Sequence, residues 1–271
     1  MEETEHDGGE PAGGTSAEDK GVEAAPEDGT HEWHERRRLG VGGSDLSKIF
    51  GYGPWEDANP QALWEYKMGL REPKPPSVAA QRGTNLEPHI INYTSNFLNQ
   101  EITEGYKFYR HPDWEEGVKF QANTDGTLVF RTKNRKELKA VFEAKTTKMS
   151  TFPAYRGGIR MAFKKGYVPL SYALQVQMYL DALKLDCGVI TCAVGPKEDF
   201  LWKPSDIEEY HVLFFRYCPE MVSLIKEGIV DFWETVEAKK KPDWFEHRNA
   251  SRLRQAHKSM RVRPAKVKTW A

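Results

Sequence analysis

The chemistry of this chain centres on Glu143 and Lys145, at the end of the run Val141-Phe142-Glu143-Ala144-Lys145. The run reads as a short buried strand, and on a strand residues two apart share a face. Both charged side chains therefore project into whatever lies above the sheet. Ala144 points the other way and keeps its carbonyl near them. Asp125 closes a second strand-like run, residues 118–124, and Gly126 turns the chain beyond it. Pairing of the two runs as a hairpin-like unit brings Asp125 to Glu143. Two carboxylates and a backbone carbonyl make a hard oxygen site for Mg²⁺ or Mn²⁺. An adjacent lysine can orient or deprotonate a metal-bound water and steady charge growing on a phosphate. Glu-x-Lys alone is common and is usually a cross-strand or solvated ion pair, so its surroundings decide the reading.

Those surroundings belong to a chain of 271 residues, long enough for one large domain or two small ones. At 39% hydrophobic and 12% aromatic residues it can bury a sizeable core. No apolar run approaches the roughly 20 residues of a membrane span, and the acidic N-terminus lacks the hydrophobic region of a signal peptide. The expectation is an intracellular, reducing compartment, cytoplasm or nucleus, with no secretion and no membrane partner. Three cysteines, Cys187, Cys192 and Cys218, fit that setting and exclude a four-cysteine zinc or iron–sulfur site. The net charge of −1 hides an asymmetry: residues 1–32 carry 11 acids against the single base Lys20, whereas residues 248–271 carry 8 bases and no acid. The pattern predicts a disordered acidic tail over 1–31, a folded domain over 32–246, and a disordered basic tail over 247–271 that could bind nucleic acid or serve as a nuclear address.

Within the domain, residues 33–40 read as a short helix with a basic side, stopped by Gly40. Gly42 and Gly43 permit a tight turn, and Ser44 is a good N-cap for a helix running to Gly51. A Gly-Gly-Ser turn at a helix N-terminus presents free amides to a phosphate, and Arg37, seven residues before Ser44, favours that use over plain capping. Residues 59–68 form an amphipathic helix, 71–77 a proline-rich linker, and 79–99 a second helical region in which Pro88 either kinks the helix or starts a new one. Glu87, before Ile90 and Ile91, reads by itself as a surface carboxylate. Strands follow at 105–110, 118–124, 128–131 and 138–145. Lys133-Asn134-Arg135-Lys136 is a basic hairpin tip, and 146–165 a basic loop with a short helix that could track a DNA backbone, although a solvated loop is the default. Residues 171–185 form a buried helix whose Gln175 needs a polar partner and could face the metal cluster, with Tyr179 one turn further on the same face. Strands at 187–194, 200–203 and 209–215 and a long amphipathic helix over 219–237 complete the core, which ends after Trp244 and Phe245. The sum is an α/β fold with a mixed central sheet flanked by helices.

Taken together, these residues resemble the YqaJ-type viral recombinases, relatives of phage lambda exonuclease within the PD-(D/E)XK nuclease superfamily. The resemblance covers about 33–245 with five motifs in order: Trp33-His34 and Arg37 through Gly42-Gly43-Ser44-Asp45; Gly83-x-x-Leu86-Glu87-Pro88; Asp125-Gly126; Glu143-Ala144-Lys145; and Tyr172-Ala173-Leu174-Gln175-Val176-Gln177. It implies a restriction-endonuclease-like fold and a metal-dependent deoxyribonuclease, most specifically a 5′→3′ exonuclease on double-stranded DNA. Asp125, Glu143, Lys145 and Gln175 would be catalytic. Asp125, Glu143 and the Ala144 carbonyl would hold Mg²⁺ (or Mn²⁺), with Glu87 acting through water, and Arg37, Ser44 and Gly43 would hold the 5′-phosphate. It further implies a single-strand annealing protein as partner and either a homotrimer or a monomer. Thr124 departs from the family, standing where many relatives have proline, at a position read as shaping the turn and binding nothing. The two tails have no counterpart in the simplest members.

Three other readings stand beside this one. An endonuclease with the same cluster would cut closed circles, and a broader nuclease would also cut RNA. An inert binder would hold nucleic acid through Arg37, the 133–136 tip and the C-terminal tail, and would be marked by loss of a metal ligand; every expected ligand is present.

Overall fold

Strand β5 (Glu137–Lys148) is the axis of the structure. A computed structural model describes residues 26–52, 58–131, 137–148, 165–198, 200–260 and 262–265. The acidic segment 1–25, the basic tip 133–136 and residues 149–164 fall outside the described residues. Five strands form the main sheet in the order β4 (Gly126–Arg131), β5, β6 (Cys187–Gly195), β7 (Glu209–Arg216), β8 (Val262–Pro264). Only β5 and β6 run parallel; the other neighbours are antiparallel. A parallel pair needs a crossover, and helix α5 (Leu170–Ala182) lies within it.

The period of two along the strands sorts their side chains between two cores. Val141, Ile190, Cys192, Val194, Leu213 and Phe215 face one way, onto α5, the short α2 (Leu46–Ile49) and the long α6 (Pro219–Glu237). Ala140, Phe142, Val189, Ala193, Val212 and Phe214 face the other way, onto Leu86 and Ile90 of α4 (Val78–Leu98). Each fully buried Phe or Leu contributes about 1.5–3 kcal/mol of transfer free energy, so the sheet is fixed in register from both sides. Glu143 and Lys145 share parity with Val141 and look toward α5. Pro88 sits inside an unbroken α4.

A second, three-stranded sheet, β1 (Val41–Gly42), β3 (Phe120–Ala122) and β2 (Tyr109–Arg110), stands apart. This corrects the expected pairing of 118–124 with β5: β3 pairs with β1 and β2, and it is β4 that pairs with β5, matching Gly126 to Phe142. Asp125 still reaches Glu143, from the start of β4. The strand expected at 105–110 shrinks to its last two residues, and 200–203 is not a strand.

The basic C-terminal segment is not a bare tail. Helix α7 (Ala250–Ser259) buries Ala250, Leu253 and Ala256, three residues at helical spacing on one face, and β8 adds an edge strand to β7. Counting charge alone obscured that stripe. No helix among the described residues is long and apolar enough to cross a membrane. The three cysteines are free thiols.

Candidate active site

The corner that carries Asp125 is clasped by the chain preceding β2. Thr103 and Thr127 exchange backbone hydrogen bonds at 2.8 and 3.0 Å, and the Thr124 amide donates to the Tyr106 carbonyl at 2.9 Å. The Thr124 hydroxyl accepts the Tyr106 amide at 2.9 Å. Gly105 is required here, because a Cβ would lie 1.9 Å from the Thr124 carbonyl oxygen. These hydrogen bonds are the means by which Thr124 shapes the turn. A proline in its place would lack the amide given to Tyr106.

Asp125 Oδ2 accepts the Ala144 amide at 2.7 Å, which locks the corner to β5 next to Glu143. The Glu143 Oε1 atom is the centre of the cluster. Lys145 Nζ donates to it in a short ion pair, and Gln175 Nε2 donates to it at 2.6 Å and to the Tyr179 hydroxyl at 2.8 Å. The structure thus brings Gln175 to the Glu143–Lys145 face, as the sequence predicts. The Lys145 ammonium also lies 5.7 Å from the centre of the Tyr172 ring.

Electrostatics mark this cluster as short of positive charge. Burial, reinforced by the Asp125 carboxylate, pushes Glu143 up to about 8. Burial and Asp125 likewise push Glu87 up to about 7. Burial opposes the charge on Lys145, but Glu143 and Asp125 outweigh it and hold the ammonium above its ordinary value. Glu143 Oε2 is buried with no hydrogen-bond partner among the described residues, a costly condition for a carboxylate oxygen. Among those residues no three acidic, His or Cys side chains converge into a ready-made metal cage. Asp125 is turned to a backbone amide and Glu143 to Lys145 and Gln175. Even so, an orphaned hard oxygen amid three mutually repelling carboxylates fits a divalent cation.

The second cluster begins one residue from the first. A Cβ on Gly43 would lie 2.6 Å from Gln175 Cγ and 2.7 Å from the Tyr179 hydroxyl, so only glycine lets the turn close on α5. Ser44 follows. Arg37, on α1 (His31–Arg38), donates through Nη2 to Ser44 Oγ at 3.3 Å and Asp45 Oδ2 at 3.4 Å, and packs 4.8 Å over the Trp33 ring. The turn is capped by Asp45, not Ser44: its carboxylate accepts the Gly42 amide at 3.1 Å, leaving Ser44 to face Arg37.

The model of the YqaJ-like viral recombinase domain matches residues 32–182, more than half of the chain. The chain belongs to this family. It is 28% identical over 206 residues to Uncharacterized protein YqaJ of Bacillus subtilis (strain 168), covering 74% of this chain and 54% of that protein, so it spans about half the length of this relative. Its fold is that of an alkaline exonuclease (LHK-Exo) from Laribacter hongkongensis. The form in complex with dAMP superposes at a TM-score of 0.55 with 19% identity, over 85% of this chain and 100% of that one. A phage related exonuclease from Haemophilus somnus 129PT superposes at 0.50 with 14% identity, over 74% and 96% of the two chains.

Within this recombinase-family domain, the residue that sequence reading missed is Lys67, the last residue of α3 (Pro60–Lys67). Its side chain is fully buried and Nζ donates to the Arg37 carbonyl at 2.7 Å, the Gly40 carbonyl at 2.6 Å and Asp45 Oδ2 at 2.9 Å. The signal was present: Pro60, Leu63, Trp64 and Lys67 fall on one buried helical face, and a lysine on such a face needs an anionic partner. Burial works against the Asp45 charge, but Lys67, Lys48 and Arg37 hold its carboxyl well below the usual range. Burial brings Lys67 itself down to about 8, against the pull of Asp45.

Proposed function

We propose that this chain is a divalent-metal-dependent deoxyribonuclease that degrades duplex DNA from 5′ ends. The observation that carries the reading is the unbroken contact from Glu143 through Gln175 to Gly43, and from Ser44 to Arg37. A cluster suited to phosphodiester hydrolysis and a cationic anchor suited to a terminal phosphate thus share one helix face. An enzyme that measures one nucleotide from a strand end needs that adjacency; one that cuts within a strand does not.

Asp125, Glu143 and the Ala144 carbonyl would hold Mg²⁺ or Mn²⁺, with Glu87 reaching it through water. Such an ion, when bound, lowers the pKa of water and offsets phosphate charge. Lys145, held cationic, orients the attacking water and stabilises charge developing on the phosphate oxygens. Gln175 fixes the Glu143 carboxylate through one amide hydrogen bond and takes its own orientation from Tyr179. Arg37 and Ser44 hold the 5′-phosphate, and Gly43 permits the close approach. Hydrolysis leaves a 3′ single strand for an annealing protein.

The test uses a linear duplex with a 5′-phosphate, the same duplex with a 5′-hydroxyl, and a closed circle, each with Mg²⁺, Mn²⁺ or EDTA. Metal-dependent mononucleotide release that prefers the 5′-phosphate and spares the circle is expected. Arg37→Ala should erase the preference by removing charge-assisted contacts, roughly ten- to a hundredfold in kcat/KM on the phosphorylated end. Linearised circles would establish an endonuclease instead, and binding without cleavage an inert module.

A further inference from the structure

The anchor residues Arg37 and Ser44 also line a cleft. Its volume is about 410 Å³, and its walls include Trp33, Tyr66, Arg37, Lys48, Arg71 and Lys74. Ser44 belongs to the wall too, whereas Asp125, Glu143, Lys145 and Gln175 do not. The volume falls within the range of roughly 300–1,000 Å³ typical of small-ligand sites. Two acidic residues, Asp45 and Glu72, also line it. Asp45 is already engaged by buried Lys67, by Arg37 and by Lys48 at 3.3 Å. Arg71 pairs with Glu65 at 3.7 Å, and the lining holds four cations, Arg37, Lys48, Arg71 and Lys74, against its two acids. Trp33 and Tyr66 add aromatic surface to the lining, each with an arginine packed on its ring, Arg37 at 4.8 Å and Arg38 at 5.5 Å. Phosphate-binding cations around aromatic rings are the chemistry that recognises a single-stranded nucleotide.

We propose that this cleft takes an unpaired nucleotide lying 5′ of the phosphate held by Arg37 and Ser44, so that the protein acts on duplex ends with a 5′ overhang. The inference rests on the nuclease reading above. On a blunt end, the anchor holds the terminal phosphate and the cleft stays empty of substrate. On an end with one unpaired 5′ nucleotide, the anchor can hold the first internal phosphate instead. The overhanging base then lies against Trp33 and Tyr66, and its 5′ side faces Arg71 and Lys74. Water attacks the next phosphorus; the P–O3′ bond breaks as the new P–O bond forms. The released piece is a dinucleotide with a 3′-hydroxyl, and the shortened strand keeps a new 5′-phosphate. A 5′-phosphorylated overhang favours this register most, because its terminal phosphate meets Arg71 and Lys74 while the first internal phosphate meets Arg37 and Ser44.

The experiment compares a blunt 5′-phosphorylated duplex with a duplex carrying a single-nucleotide 5′-phosphorylated overhang, with the first product resolved by size. The wild-type protein and the double variant Arg71→Ala/Lys74→Ala are used; Arg71 is half-buried and Lys74 exposed, so the variant is expected to fold. A dinucleotide as first product from the overhang is expected. The variant should lower that rate about tenfold while leaving the blunt-end rate nearly unchanged. A mononucleotide as the only first product, or equal loss on both substrates, would overturn the cleft assignment. Failure of the wild type to cut the blunt 5′-phosphorylated end would overturn the nuclease reading itself.

Discussion

Two polar clusters meet across Gln175 and Gly43, and their charge imbalances are opposite. Around Glu143, Lys145 faces the carboxylates Glu87, Asp125 and Glu143, and both glutamates are pushed up. Around Asp45, one buried carboxylate faces Lys67, Lys48 and Arg37, and Asp45 is held low while Lys67 falls to about 8. Charges arranged only for stability would pair evenly, because an uncompensated buried charge costs several kcal/mol. Their segregation leaves carboxylates in excess in the first cluster and cations in excess in the second, the imbalance on which the proposed cation and phosphate sites rest. Strongly perturbed groups occur at functional sites and in structural ion-pair networks alike, so the opposite imbalance of the two clusters carries the comparison.

The largest expected effect isolates the first cluster. Lys145→Ala should lower kcat by roughly a hundred- to a thousandfold, the range for losing one preorganised donor to developing charge, with DNA affinity nearly intact. Full activity in that variant would remove Lys145 from the mechanism. The second cluster should answer in stability. Lys67→Met breaks a buried ion pair and leaves Asp45 with fewer partners, at a cost of roughly 3–5 kcal/mol in urea unfolding. Adding Asp45→Asn should recover part of that loss, since the two sites are coupled. Additive losses would mean that Lys67 acts through its carbonyl contacts to Arg37 and Gly40 rather than through charge.

The first cluster was far more legible in the sequence than the second. Glu143 and Lys145 lie two apart on a strand, so their shared face follows from geometry alone, and Gln175 was conspicuous as an amide on an apolar helix. The partner of β5 was misassigned because residues 118–124 and 126–131 are both short strand-like runs separated only by Asp125. Which of them pairs with β5 depends on the Thr103–Thr127 clasp, a contact 24 residues apart. The sequence marks Asp45 as part of a motif and Lys67 only as a residue of the amphipathic 59–68 helix, since their pairing is a tertiary contact between separate helical segments. The C-terminal helix was hidden for another reason: its buried face is only Ala250, Leu253 and Ala256, a weak stripe amid eight basic residues.

Gly43 is the point at which both clusters can be disturbed together. Gly43→Ala places a methyl 2.6 Å from Gln175 Cγ, an overpacking that costs about 1–3 kcal/mol. Gln175 should shift away from Glu143 Oε1 and Ser44 away from its seat, lowering kcat and the 5′-phosphate preference in parallel. Loss of one without the other would show that the clusters work independently, and the comparison would then describe two neighbours instead of one site.

The smallest effect comes from a third cluster that serves as the control, because its charges are balanced. Asp181 accepts from the buried His111 ring at 2.8 Å and from the Tyr217 hydroxyl at 2.7 Å, and faces Lys226 at 3.6 Å and Lys184 at 3.8 Å; Asp113 faces His111 and Lys226 in turn. Burial opposes its charge, but the hydrogen bonds from His111 and Tyr217 and the charges of Lys226 and Lys184 hold Asp181 well below the ordinary 3.8. A carboxyl depressed on folding contributes stability above its unfolded value and loses it as the pH falls through its folded one. Asp181→Asn should therefore be less stable than wild type at neutral pH, by about 1–3 kcal/mol. The gap should narrow steadily below pH 3.8 in urea titrations. Asp45 titrates in both proteins and cancels in the difference. A gap that stays constant down to the lowest accessible pH would mean that packing rather than charge holds this cluster. It could then no longer serve as the balanced reference against which the other two clusters stand out.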